Sequence, residues 1–176
     1  MSEKGPVGLP GAVVWRIARR HHALDRLGTG ARQDGGRWNR VGTGIIYTGC
    51  TIAITALERF VHLAGVVPPD LVLVRVKLPD GHSAETPRLS DLPRDWDLVP
   101  AGPGSMDFGT RWAQERRSLV LYVPSAVLRE ETNALLNPGH AEFPAVTMTI
   151  ERDFSYDPRM YLPRRAPTGK RPRRRR

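Results

Sequence analysis

The segment 71–78, LVLVRVKL, puts Val72, Val74, Val76 and Leu78 on one side of a strand and Arg75 and Lys77 on the other. The stretch after this strand limits the fold more than the strand does. From 79 to 109 the chain is rich in Pro, Gly and Asp, so it reads as a long ordered connection with little regular structure. Segments 12–18 (AVVWRIA), 45–48, 119–123 and 145–150 read as further short strands, the last with Val146, Met148 and Ile150 on one face. Thr51 is the expected N-cap of a helix through Leu63, with Ile52, Ala53, Ala56, Leu57, Phe60, Val61 and Ala64 as its buried stripe and Glu58 beside that stripe. A shorter helix is expected over 110–118. Strands and helices mix without regular alternation, so the expected class is α+β, a single domain of small mixed sheets with flanking helices.

Charge matters here only by its location. The net charge is +9, but residues 164–176 hold eight of the 27 Lys and Arg and no acid, leaving 19 basic against 18 acidic residues in the body. The expected organisation is a lead-in at 1–11, one domain at 12–163, and a disordered basic tail at 164–176 that either binds polyanions weakly and without reading sequence or is a solvated extension with no partner. Cys50 is the only cysteine, which excludes an intrachain disulfide and suits a reducing, cytoplasmic setting. No apolar run is long enough to span a bilayer, and Pro6 and Pro10 break any signal-peptide pattern.

Among the segments that carry chemistry, 27–39 (LGTGARQDGGRWN) is expected to be a loop. Gly28, Gly30, Gly35 and Gly36 would let backbone amides approach an anion, with Arg32 and Arg37 flanking them. HHALDRL is a poor strand to precede a dinucleotide fingerprint, so a Rossmann site is not expected. The histidines form no HExxH, and adjacent His21 and His22 are badly placed to share one ion, so no metal is expected. Ser125 lacks the GxSxG elbow of a serine hydrolase, and Cys50 reads as a small packed residue at a helix entrance. Glu58 by itself is an ordinary helical carboxylate that could pair with His62 one turn on.

Taken in order, WRI at 15–17, GARQDGGRWN at 30–39, IIYT at 45–48, ALERFVHL at 56–63, DFGTRW at 107–112, VPSAV at 123–127, NALLNPGH at 133–140 and YDPRM at 156–160 resemble the RES-domain family. The family is named for an Arg, a Glu and a Ser, which match Arg37, Glu58 and Ser125; its strand Arg and Tyr match Arg16 and Tyr47. The sequence departs at TGCT, with Cys50 where another small residue is expected, and at NPGHA, which lacks a following proline.

The resemblance implies an ADP-ribosyltransferase-like fold and a toxin of a bacterial toxin–antitoxin pair that cleaves the nicotinamide–ribose bond of NAD+. NAD+ is then substrate and no metal is needed. It implies Glu58, Arg37 and Ser125 as catalytic residues, and Arg16, Arg37, Tyr47, Ser125 and Asn133 as the NAD+-binding set. Arg16 and Arg37 would clamp the pyrophosphate, Tyr47 would stack on nicotinamide, and Ser125 would bond the ribose or orient Glu58. Water, phosphate or a protein side chain could accept the ADP-ribose. The implied partner is an Xre-like antitoxin covering the NAD+ site. A non-enzymatic nucleic-acid-binding protein is the remote alternative; the near-neutral body argues against it.

Overall fold

A computed structural model describes residues 12–63 and 66–161 of the chain. The expected lead-in, the basic tail and Ala64 of the expected helical stripe fall outside the described residues.

Among the described residues seven strands and three α-helices succeed one another: β1 (Val13–Arg19), α1 (Thr29–Asp34), β2 (Ile46–Gly49), α2 (Ile52–Val61), β3 (Leu71–Lys77), β4 (Ala84–Glu85), α3 (Pro103–Gln114), β5 (Val120–Pro124), β6 (Thr132–Leu136) and β7 (Thr147–Asp153). The strands join in one mixed sheet in the order β4-β5-β6-β2-β1-β3-β7, where only β4 and β5 run parallel. The class is α+β, with helices flanking the sheet. β1 pairs with β3 from Val13↔Lys77 to Arg19↔Leu71, yet it meets β2 only at Trp15↔Gly49. Two half-sheets therefore hinge on one point, and beyond it β1 and β2 splay apart.

The strand periodicity shows how the faces are filled. Val72, Val74, Val76 and Leu78 are buried in one apolar cluster with Ile46, Val120, Ala134 and Leu136. Leu71 and Leu73 point to the opposite face, where they pack with Ile17, Leu63 and Tyr156 beneath α2. The same face of the other half-sheet carries Leu121, Val123 and Leu135, covered by Trp112 and Ala113 of α3 together with Trp38 and Trp96. The second face thus has two apolar mounds, one under each long helix, with the splay between them.

Three local expectations are corrected. The glycine-rich segment is not all loop, because α1 forms within it. Gly28 takes a left-handed φ of 63° where a Cβ would lie 2.6 Å from the Ile45 carbonyl oxygen. The Asp25 carboxylate receives the Thr29 N–H at 2.6 Å, the Thr29 hydroxyl at 3.0 Å and the Leu27 N–H at 3.0 Å. Burial raises the Asp25 carboxyl, but those donors outweigh it and hold the group below the ordinary carboxylate range.

The second helix-forming stretch also differs. It runs over Pro103–Gln114, starting earlier than expected, with Pro103 at its first turn. Its glycines hid it from a propensity reading, although Gly109 is required by the approach of the Trp38 backbone.

The third correction concerns the buried side of α2. Ile54 and Thr55 are buried, whereas Ala53 and Val61 are exposed, so the face is rotated from the expected stripe and takes Glu58 inward. Thr51 does cap the helix, its hydroxyl accepting from Ile54 N at 3.2 Å.

Candidate active site

The splay between β1 and β2 opens into a cleft of about 490 Å³, a size suited to a small organic ligand. Arg16 reaches into it from β1, Tyr47 from β2, Asn133 from β6, and Glu58, Arg59 and His62 from the region of α2. Tertiary bonds hold the middle of α2: Thr55 Oγ1 donates to Trp15 O of β1 at 3.3 Å, and Tyr156 donates its hydroxyl to Ala56 O at 2.7 Å while its ring packs on Phe60.

Glu58 is held by two donors on one oxygen. Ser125 Oγ donates to Glu58 Oε1 at 2.7 Å, and Asn133 Nδ2 donates to the same atom at 2.6 Å. Ser125 is itself fully buried, and its oxygen accepts the backbone N–H groups of Val127 and Leu128, each at 3.1 Å. With its acceptor side occupied, the hydroxyl has its proton directed at Glu58. Ser125 therefore touches the carboxylate and does not line the cleft. The expected Glu58–His62 pair is not the arrangement found; His62 is an exposed residue of the cleft rim.

Tyr47 is anchored from behind. Its hydroxyl accepts from Trp38 N at 3.0 Å and donates to Asn39 Oδ1 at 2.7 Å, and burial pushes the phenol well above its ordinary pKa. The hydroxyl is consumed, so the ring is what it can offer a ligand. Asn39 is fully buried, and its Nδ2 reaches the carbonyls of Ala31, Thr43 and Arg40 at 2.7, 2.9 and 3.1 Å. This knitting orders the Gly35–Gly36 part of the segment and takes up its amides, whereas Gly28 and Gly30 line the cleft. The Gly35 amide donates to Ala31 O and the Gly36 amide to Asn39 O, both at about 3 Å.

Arg16 and Arg37 are not brought together in the cleft. Arg37 Nη1 donates to the carbonyls of Trp96 and Leu98 at 2.9 and 2.8 Å, outside the cleft lining, tying the 92–98 segment to the wall behind Tyr47. Arg16 gives Nη1 to Asp25 O at 3.2 Å. Burial lowers its pKa, the Asp25 charge raises it, and the nearby Arg59 lowers it further. Arg32 is exposed and lies on a separate groove beside Arg116.

Two residues of the site escaped sequence reasoning. Asn39 gave no signal beyond its place in GGRWN. Arg59 was hidden by its position next to Glu58, since neighbours on a helix are about 100° apart and are not read as one site. Among the described residues no group of three or more His, Cys, Asp or Glu is arranged to hold a metal ion. No helix in the same residues is long and apolar enough to cross a membrane.

Cys50 lies just past β2, packed against the first apolar cluster. Burial, and then the Glu131 carboxylate, push its thiol up to about 11. Alkylation by iodoacetamide at pH 8 is therefore expected to run about a hundredfold slower than for a free cysteine, because the thiolate fraction is smaller by that factor. Reaction at the free-cysteine rate would mean that the thiol is not held as described.

The family model for the RES domain matches residues 13–157. The chain belongs to the RES-domain family. This RES domain is 43% identical over 152 residues to a protein of Sphingobium sp. (strain YBL2) named Prs ADP-ribosylating toxin, covering 83% of this chain and 94% of that protein. It is 33% identical over 151 residues to Toxin Res of Yersinia enterocolitica, covering 84% and 99%. In fold it is similar to a chain in the crystal structure of the M. tuberculosis MbcT–MbcA toxin–antitoxin complex, with a TM-score of 0.62, 17% identity, and coverage of 86% of this RES domain and 87% of that chain. The matched residues include every element that lines the cleft.

Proposed function

We propose that this RES domain is the toxin of a toxin–antitoxin pair and that it cleaves the nicotinamide–ribose bond of NAD+ in the cleft between β1 and β2. The observation that carries the reading is Glu58, held by two donors on one oxygen in a cleft that also presents Arg16 and the face of Tyr47. Nicotinamide in NAD+ is cationic and departs neutral, so the reaction needs no general acid; it needs negative charge beside the ribosyl carbon as positive charge develops there. Ser125 and Asn133 orient the carboxylate through Oε1, leaving Oε2 to face the ribose. Tyr47 stacks on the nicotinamide ring. Arg16 binds phosphate oxygens, and Arg37 acts as a positioning residue for the wall that carries Tyr47.

A second reading uses the same site to transfer ADP-ribose to a protein. The name of the Sphingobium relative favours it. The bond broken and the role of Glu58 are the same in both, and only the acceptor differs. An antitoxin partner is supported by the names of the relatives and by the toxin–antitoxin complex that contains the structural neighbour. We propose that this partner is Xre-like and covers the cleft.

Induced expression in bacteria tests the reading: growth should stop as the cellular NAD+ pool collapses, and growth arrest with an undiminished pool would exclude depletion as the cause. Ser125→Ala should keep Glu58 in place through Asn133 while freeing its rotation, lowering kcat about tenfold with little change in KM, as for the loss of one charge-assisted hydrogen bond. Unchanged kcat would remove Ser125 from the machinery.

A further inference from the structure

We infer that Arg59 is a second phosphate-binding residue, which with Arg16 makes a two-guanidinium seat for the diphosphate of the substrate. The inference rests on the NAD+ reading of the cleft but starts from an observation that reading does not use. Arg59 Nε is buried and has no hydrogen-bond partner, the one such side-chain atom among the described residues. A buried, unpaired N–H on a cation is costly unless something fills the site. Arg59 lines the same cleft as Arg16 and is near enough to lower the pKa of that residue.

The acids around the two guanidiniums do not neutralise them through side-chain ion pairs. The hydrogen bonds of the Asp25 carboxylate go to Thr29 and Leu27; it favours the charged form of Arg16 across space, but the one hydrogen bond between the two residues is to the Asp25 backbone carbonyl. Asp70 pairs with Arg19 at 3.0 Å, and Glu58 Oε1 is taken by Ser125 and Asn133. Two like charges held close in a partly desolvated cleft repel, and a dianion between them converts that repulsion into attraction. A diphosphate has the charge and the paired oxygens that two planar guanidiniums match. The position of Arg59 immediately after Glu58 on α2 sets the seat beside the carboxylate, where a diphosphate joined to the reacting ribose has to lie.

The test is calorimetric titration of the full chain with inorganic pyrophosphate and with ADP-ribose, alongside cleavage of nicotinamide riboside, which has no phosphate. Arg59→Gln should weaken binding of both anions by about tenfold or more and Arg59→Lys by less, and the loss of kcat/KM should be larger for NAD+ than for nicotinamide riboside. Thermal melting of each variant checks that it is folded. Unchanged affinity of folded Arg59→Gln for both anions would overturn the inference, as would a wild-type chain that ignores pyrophosphate. A wild-type chain that binds pyrophosphate through Arg59 but neither binds ADP-ribose nor cleaves NAD+ would keep the anion seat and overturn the NAD+ reading instead.

Discussion

Glu58→Gln should lower the rate of NAD+ cleavage by at least about a hundredfold while leaving the fold and its melting temperature nearly unchanged. Both hydrogen bonds to Glu58 arrive at one oxygen, from Ser125 Oγ and Asn133 Nδ2. The carbonyl oxygen of a glutamine can occupy that position and accept both, so packing and orientation survive. The change removes the negative charge that offsets the developing ribosyl cation. Because the amide is nearly isosteric, KM should move little, and the effect should fall on kcat. A folded Glu58→Gln variant that retains the wild-type turnover would remove Glu58 from the chemistry.

Gly109→Ala should destabilise the protein by about 3 kcal/mol, against the usual gain of about 1 kcal/mol when a glycine inside a helix becomes alanine. A Cβ at this position would fall inside the contact radius of the Trp38 carbonyl oxygen, and backbone cannot swing aside as a side chain can. The surrounding contacts are unforgiving. Arg40 N donates to Thr110 Oγ1 at 2.8 Å, Arg40 pairs with Asp107, and Trp38 is 2% exposed. Gly30 in α1 is the control, since a Cβ there meets nothing within 4 Å; Gly30→Ala should be neutral or stabilising. Urea unfolding of the two variants decides the matter, and equal stability of Gly109→Ala and wild type would mean that α3 does not dock as described. Because Trp38 N also donates to the Tyr47 hydroxyl, a displaced Trp38 should weaken substrate binding as well.

The segments that carried the family resemblance are those that converge in space. GGRWN and DFGTRW are far apart in the chain, yet Gly109 packs on Trp38 and Asp107 pairs with Arg40. VPSAV and NALLNPGH supply the two donors to Glu58, and YDPRM begins at the tyrosine that holds α2. Thr51 was legible as a cap because the rule is local, and the alternation of Val72, Val74 and Val76 was legible because a strand has period two.

Other features depend on tertiary contacts. The inward turn of Glu58 follows from Ser125 and Asn133, which tertiary structure alone brings near, so the stripe assigned by helical spacing was right for Ile52, Ala56 and Phe60 but not for Ala53 and Val61. Strand β6 went unrecognised because Thr132 and Asn133 begin it with polar residues, and Asn133 is spent on Glu58 in the cleft. The glycines of 28–36 suggested a loop throughout because their composition does not show that Asp25 and Asn39 bond the backbone groups around them. The splay at Trp15↔Gly49, which creates the cleft, results from two half-sheets twisting apart, and no local pattern encodes it.

The most direct measurement is incubation of the purified wild-type chain, free of any antitoxin, with NAD+ and separation of the products by chromatography with mass detection. Free nicotinamide should appear in step with the loss of NAD+, accompanied by ADP-ribose, its phosphorylated form, or an equal amount of ADP-ribose bound to protein, according to the acceptor supplied. NAD+ left intact with every acceptor by a folded chain would contradict the assignment of the β1–β2 cleft to nicotinamide–ribose cleavage.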